Sequence, residues 1–116
     1  MKLIIEIANV HEGSVQYLSK LVKEINSSKV QYVKHQLLVP SEFGYPDSDA
    51  FKEFDRLKIP LKDFEKIMKD NIRLNYMFDV FGKKSLQEAI YLKKTYPSIV
   101  KAVKFHTTNA LNLSLI

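Results

Sequence analysis

The chain has no cysteine among its 116 residues, which excludes within it a disulfide framework, a thiolate metal site and a thiol nucleophile. Long apolar runs are missing too. Stretches such as Leu3–Ile5 and Leu37–Val39 are far short of the ~20 residues that cross a bilayer, and no signal-peptide core follows Met1. Low-complexity sequence is absent, so nothing in the composition argues for disorder. No glycine-rich dinucleotide or P-loop fingerprint follows any strand-like segment, which weakens a nucleotide-binding reading. No membrane partner is expected, and the cytoplasm is the expected location.

What is present is an ordinary globular balance, 46% apolar and 27% charged residues, in a length suited to one domain covering residues 1–116. The net charge of +5 raises the question of a nucleic-acid partner. The lysines answer it by their placement. Lys20, Lys23, Lys62, Lys66, Lys69, Lys83, Lys84, Lys93 and Lys94 fall on the polar positions of predicted helices, where solvated lysine is the plain expectation. No glycine-flanked aromatic motif accompanies them, so no nucleic-acid partner is expected.

Periodicity orders the chain. Residues 3–8 read as a buried strand interrupted by one carboxylate, Glu6. Residues 9–13 form a loop, after which Ser14 can cap a helix carrying Val15, Leu18, Leu21, Val22 and Ile25 at helical spacing. A second strand spans 30–36. Residues 37–60 make a long excursion punctuated by Pro40, Gly44, Pro46 and Pro60, with a short amphipathic helix over 47–57. Such excursions after a strand commonly carry function. A helix over 61–69, a strand over 74–80, a helix over 85–96 ended by Pro97, and a strand over 99–105 follow, and residues 109–116 have the pattern of another helix beginning. The order is an α/β alternation with about four parallel strands, at a spacing near that of barrel repeats. Doubly wound sheets and closed barrels both satisfy it.

Ionisable residues interrupt the strands late and with one parity. Glu6 shares parity with Ile4 and Ala8, Lys34 and Gln36 with Tyr32, and Lys104 and His106 with Ala102, while Val33, His35, Val103 and Phe105 take the opposite face. In a barrel, catalytic groups come from the C-terminal ends of strands, and a buried charge needs a partner. A pair such as Lys34 and Lys104 suits an anionic ligand, and Glu6 suits proton transfer or a hydroxyl contact. The plainer alternative is a sheet-rim position, or a structural ion pair between Glu6 and Lys34.

These residues resemble a known family. The stretch Ile5-Glu6-Ile7-Ala8-Asn9-Val10-His11-Glu12-Gly13 looks like the first-strand signature of sialic acid (N-acetylneuraminate) synthases, a strand glutamate followed by an Asn-His-x-Gly-type turn. Val33-Lys34-His35-Gln36 is similar to the family's second-strand motif. Phe78-Asp79-Val80-Phe81 and Val103-Lys104-Phe105-His106-Thr107-Thr108-Asn109 stand where its third- and fourth-strand motifs occur. The resemblance implies the N-terminal half of a (β/α)₈ TIM barrel, truncated after its fourth strand. It implies a transferase that forms a C–C bond between phosphoenolpyruvate and an N-acetylated amino sugar, using a divalent metal (Mn or Mg) whose ligands are not in this chain.

By the same resemblance, Lys34 and Lys104 hold the anionic groups of phosphoenolpyruvate, Thr107 supplies a hydroxyl, Gln36 contacts the sugar, and Glu6 is the catalytic group. Asp79, Leu37 and Asn109 depart from the family pattern, Asp79 by placing an anion where phosphate would bind. His11, His35 and His106 are read as structural or solvent-facing, not as metal ligands. The half-barrel is not expected to complete the active site alone. The alternative function is a catalytically impaired half-barrel relative that binds or assembles. The first and fourth strands carry no proline, so the isolated chain is expected to self-associate as a homo-oligomer.

Overall fold

Four strands, each with apolar residues on one side and polar or ionisable residues on the other, hold the sheet together. They are β1 (Ile4–Glu6), β2 (Tyr32–Gln36), β3 (Asn75–Val80) and β4 (Val100–Phe105), in a computed structural model that describes residues 3–105. All neighbours run parallel, in the order β1-β2-β3-β4. The chain is therefore an α/β unit, and among the described strands the order never reverses as a doubly wound sheet requires. His106, Thr107, Asn109 and the expected helix over 109–116 lie outside the described residues.

The connecting helices are α1 (Val15–Asn26), α2 (Asp49–Leu57), α3 (Leu61–Asp70) and α4 (Lys83–Thr95). Ser14 caps α1 as its sequence position implies, its Oγ accepting from the Tyr17 amide at 3.1 Å, and Ser48 does the same for α2 through Phe51 at 3.1 Å. Leu18 and Val22 of α1, Phe64 and Met68 of α3, and Ala89 and Leu92 of α4 meet Val33, Tyr76, Phe78, Val80 and Val100 in one core. Each fully buried leucine or valine there contributes about 1.5–3 kcal/mol. Right-handed crossovers that always step in the same direction put successive helices on the same side of the sheet. The other side shows Ile4, Glu6, Met77 and Lys104, all partly or largely exposed. The nine lysines assigned to polar helix positions are all exposed.

Two details depart from simple alternation. Strand β1 ends at Glu6, although the Ile7 amide still donates to the Lys34 carbonyl at 3.0 Å, and Ala8 turns to φ 47 instead of continuing the strand. In β4 the register shifts beside Tyr76 and Met77, so that Tyr76 pairs with Val100 and Met77 with Ala102. Lys101 is the extra residue of this bulge. Strict alternation would put Val100 on the face of Ala102 and Lys104; the bulge instead buries Val100 completely.

Long-range contacts fix the loops. The guanidinium of Arg73 donates to the carbonyls of Ile25, Asn26 and Val30 at 3.1, 2.7 and 2.9 Å; the first two are end carbonyls of α1, which lack a partner within the helix. Gly13 has φ +82, and a Cβ there would run into the Arg56 carbonyl at the end of α2. Gly13→Ala is expected to destabilise the fold by at least about 1–2 kcal/mol, the cost of a left-handed backbone alone, as measured by urea unfolding.

His35 is buried within reach of the rings of Phe64, Tyr76 and Phe78, with centroids 5.1, 5.9 and 5.7 Å away. It faces the helix layer, as its parity implies. Burial, with the nearby His11 as the smaller cause, pushes its pKa from 6.5 down to about 3. Burial lowers that of His11 as well. Since the unfolded chain binds these protons more readily, the stability from neutral His35 is complete above about pH 6.5 and is lost as pH falls toward 3. The expected slope from His35 is about 1.4 kcal/mol per pH unit in that window. Denaturant titrations across this range should show the slope in the wild type and a reduced one in His35→Phe.

Candidate functional site

The late polar positions of the strands come together on the face opposite the helices. Glu6 of β1 is level with Lys34 of β2, and Asp79 of β3 is level with Lys104 of β4. Lys34 links the two pairs: its Nζ is 2.6 Å from Glu6 Oε1 and 3.6 Å from Asp79 Oδ2. One residue from each strand thus forms a staggered row across this face, stepping by two residues between β2 and β3 because Lys34 is level with Met77, and alternating carboxylate, ammonium, carboxylate, ammonium. Gln36, level with Asp79 and half-buried, lies on the same face.

Exposure differs sharply along the row. The side chain of Lys34 is 9% exposed and that of Asp79 15%, whereas Glu6 is 66% exposed; Lys104 is exposed as well. The hydrogen bond and charge of Lys34 hold the Glu6 carboxyl below its ordinary value. The Glu6 hydrogen bond, with Asp79 adding its charge, raises Lys34 despite desolvation. Asp79 goes the other way: burial raises its pKa in spite of both lysines. Its Oδ1 is buried with no hydrogen-bond partner. The row therefore contains one carboxyl held below its ordinary value by Lys34 and one raised above it by burial.

Around the row, the β1–α1 loop is held in an unusual backbone, with positive φ at Ala8, Glu12 and Gly13. His11 is buried in this turn, its Nδ1 accepting from the Gly13 amide at 2.9 Å, a structural role that agrees with its reading from sequence. Asn9 Oδ1 is buried without a partner. Strain of this kind clusters at ligand sites. The long excursion after β2 reaches over to α4, where Glu42 Oε2 accepts from the amides of Lys84 and Ser85 at 2.9 and 3.1 Å. The helix end that could hold an anion is thus capped by the chain's own carboxylate. Stacking of Phe43 on Phe54, with centroids 3.8 Å apart, and its contact with Phe81 at 5.1 Å hold the excursion in place.

No protein-family model matches the chain, and no curated protein matches it either. The site is therefore read from its own chemistry. Of the residues singled out in the sequence, Glu6 and Lys34 are in direct contact, whereas Lys104 and Gln36 share their face but are level with Asp79 instead. Thr107 lies outside the described residues. Asp79 and Glu42 were not assigned roles from sequence. Asp79 could have been found by parity, since Asn75, Met77 and Asp79 alternate with the buried Tyr76, Phe78 and Val80. Glu42 gives no local signal, because its partners are more than forty positions away. Among the described residues, no group of three or more His, Asp or Glu could hold a metal ion.

Lys34 stabilises ionised Asp79, so Lys34→Met is expected to raise the Asp79 pKa further. Carboxyl-carbon NMR titration of the two proteins would measure it, and coincident Asp79 curves would show that the two side chains do not interact.

Proposed function

We propose that the chain is the N-terminal half of a (β/α)₈ barrel of the sialic acid synthase type, with its open sheet face as the ligand-facing interior. In this reading it contributes to the condensation of phosphoenolpyruvate with an N-acetylated amino sugar. The observation that carries the proposal is the row of Glu6, Lys34, Asp79 and Lys104, late in four successive parallel strands and on the face away from the helical core. Catalytic groups of barrel enzymes come from such strand ends.

The reaction joins the enol carbon of phosphoenolpyruvate to the aldehyde carbon of the sugar and releases phosphate after water adds. Lys34 and Lys104 neutralise the phosphate and carboxylate, where preformed positive charge has most effect in a site closed to water. Glu6 accepts or donates the proton exchanged with a substrate hydroxyl or water. Gln36 contacts the sugar, and Thr107 adds a hydroxyl. The described residues do not assemble a centre for the divalent metal that the resemblance implies, and no step here is assigned to it.

Asp79 is the departure that most affects this chemistry, and its environment supplies an answer. With both carboxylates ionised the row is neutral and has little attraction for a trianionic ligand. Burial raises the Asp79 pKa, and in this reading a proton taken up there on binding leaves two ammonium groups against Glu6 and removes the repulsion toward phosphate. Binding is then coupled to proton uptake.

A second reading, a half-barrel relative that assembles without turnover, is favoured by two contacts. Lys34 is already satisfied by Glu6 at 2.6 Å, and Glu42 already occupies the start of α4. Calorimetric titration of the protein with phosphoenolpyruvate separates the two. The synthase reading expects binding with proton uptake, weakened by about 1.5–3 kcal/mol in Lys34→Ala, the scale of a hydrogen bond to a charged group. Unchanged affinity in the variant would remove Lys34 from the site, and absence of binding to the wild type would favour the assembly reading.

A further inference from the structure

The row of charges has two unlike ends. At one edge of the sheet β1 presents Glu6, largely exposed, and at the other β4 presents Lys104, also exposed. Among the described residues neither strand has a neighbour on its outer side. Edge strands of this kind template pairing with another chain unless they are guarded. Lysine on an edge is ordinarily such a guard, and β4 carries Lys101 and Lys104. Here, however, the opposite edge offers a carboxylate on the same face, Glu6, two residues back in register from Lys104. A charge that repels a like edge attracts this one.

We infer that the open edges are covered by a second copy of this chain, with β4 of each copy pairing in parallel with β1 of the other and Lys104 of each copy facing Glu6 of its mate. Two such seams are identical by a twofold axis, so the assembly closes on itself without leaving an edge. The eight strands, four from each copy, form one barrel. The charges continue in alternation around it, because each row begins with a carboxylate and ends with an ammonium. The partly exposed Ile4 and Met77, together with Ala102, become interior residues, and each composite site draws Lys104 from one copy and Glu6 from the other. This inference rests on the half-barrel reading of the sheet but not on the synthase chemistry.

The seams can be tested by reversing one charge in each of two proteins. Sedimentation velocity over a micromolar dilution series is expected to show a dimer for the wild type. Lys104→Glu and Glu6→Lys should each raise the dissociation constant by roughly tenfold or more, since each places like charges at both seams. Mixing the two variants restores an opposite pair at both seams and is expected to recover the dimer. A folded wild-type monomer would overturn the inference, as would folded variants that dimerise as well singly as mixed. If the substitutions prevent folding, hydrogen exchange on the wild type decides. Concentration-dependent protection of amides in β1 and β4 supports the seams, and protection confined to the helices refutes them. A dimer that does not bind phosphoenolpyruvate would defeat the synthase reading alone, and a monomer that binds it would defeat this inference alone.

Discussion

A parallel sheet whose strands follow one another in chain order, each joined to the next by a right-handed crossover, has no freedom in where it puts its helices. They accumulate on one side, and the main features of this protein follow from that constraint. Leu18, Phe64, Leu92 and the apolar strand residues share a single core on the helical side with His35, while the other face carries Glu6, Lys34, Asp79 and Lys104. In a doubly wound sheet the second face would be buried beneath helices, and a row such as Glu6, Lys34, Asp79 and Lys104 would be an energetic liability.

On the open face, electrostatics is a matter of how four groups share limited solvation. Lys34 is the pivot because it is the most buried of the four and touches both carboxylates. Its pairing with the exposed Glu6 is inexpensive to break, as an ion pair with one wet partner must be. Its relation to Asp79 differs, because Asp79 is largely buried and carries an unpartnered oxygen. Burial accordingly raises the Asp79 pKa, while the exposed Glu6 is the better suited of the two to exchange partners.

The long segment between β2 and α3 behaves as a strap rather than as a lid. Phe43, Phe54 and Phe81 pack together, Glu42 caps α4, and the end of α2 leaves no space for a side chain at Gly13. These contacts tie the loops after β1, β2 and β3 to one another at the end of the sheet where the charge row lies.

The alternation of strands and helices, the cap at Ser14, the face taken by His35, and the shared parity of Glu6, Lys34 and Lys104 were legible in the sequence, because periodicity and capping are local and each depends on residues a few positions apart. Helix α4 began two residues earlier than the pattern at Ser85 suggested, since its first amides are held by Glu42 from a distant loop. The bulge at Lys101, the clamp of Arg73 on α1 and the approach of Lys34 to Asp79 across the β2–β3 stagger came only with the tertiary structure. Each depends on which strand lies beside which and in what register, and that information resides in contacts between residues far apart in the chain.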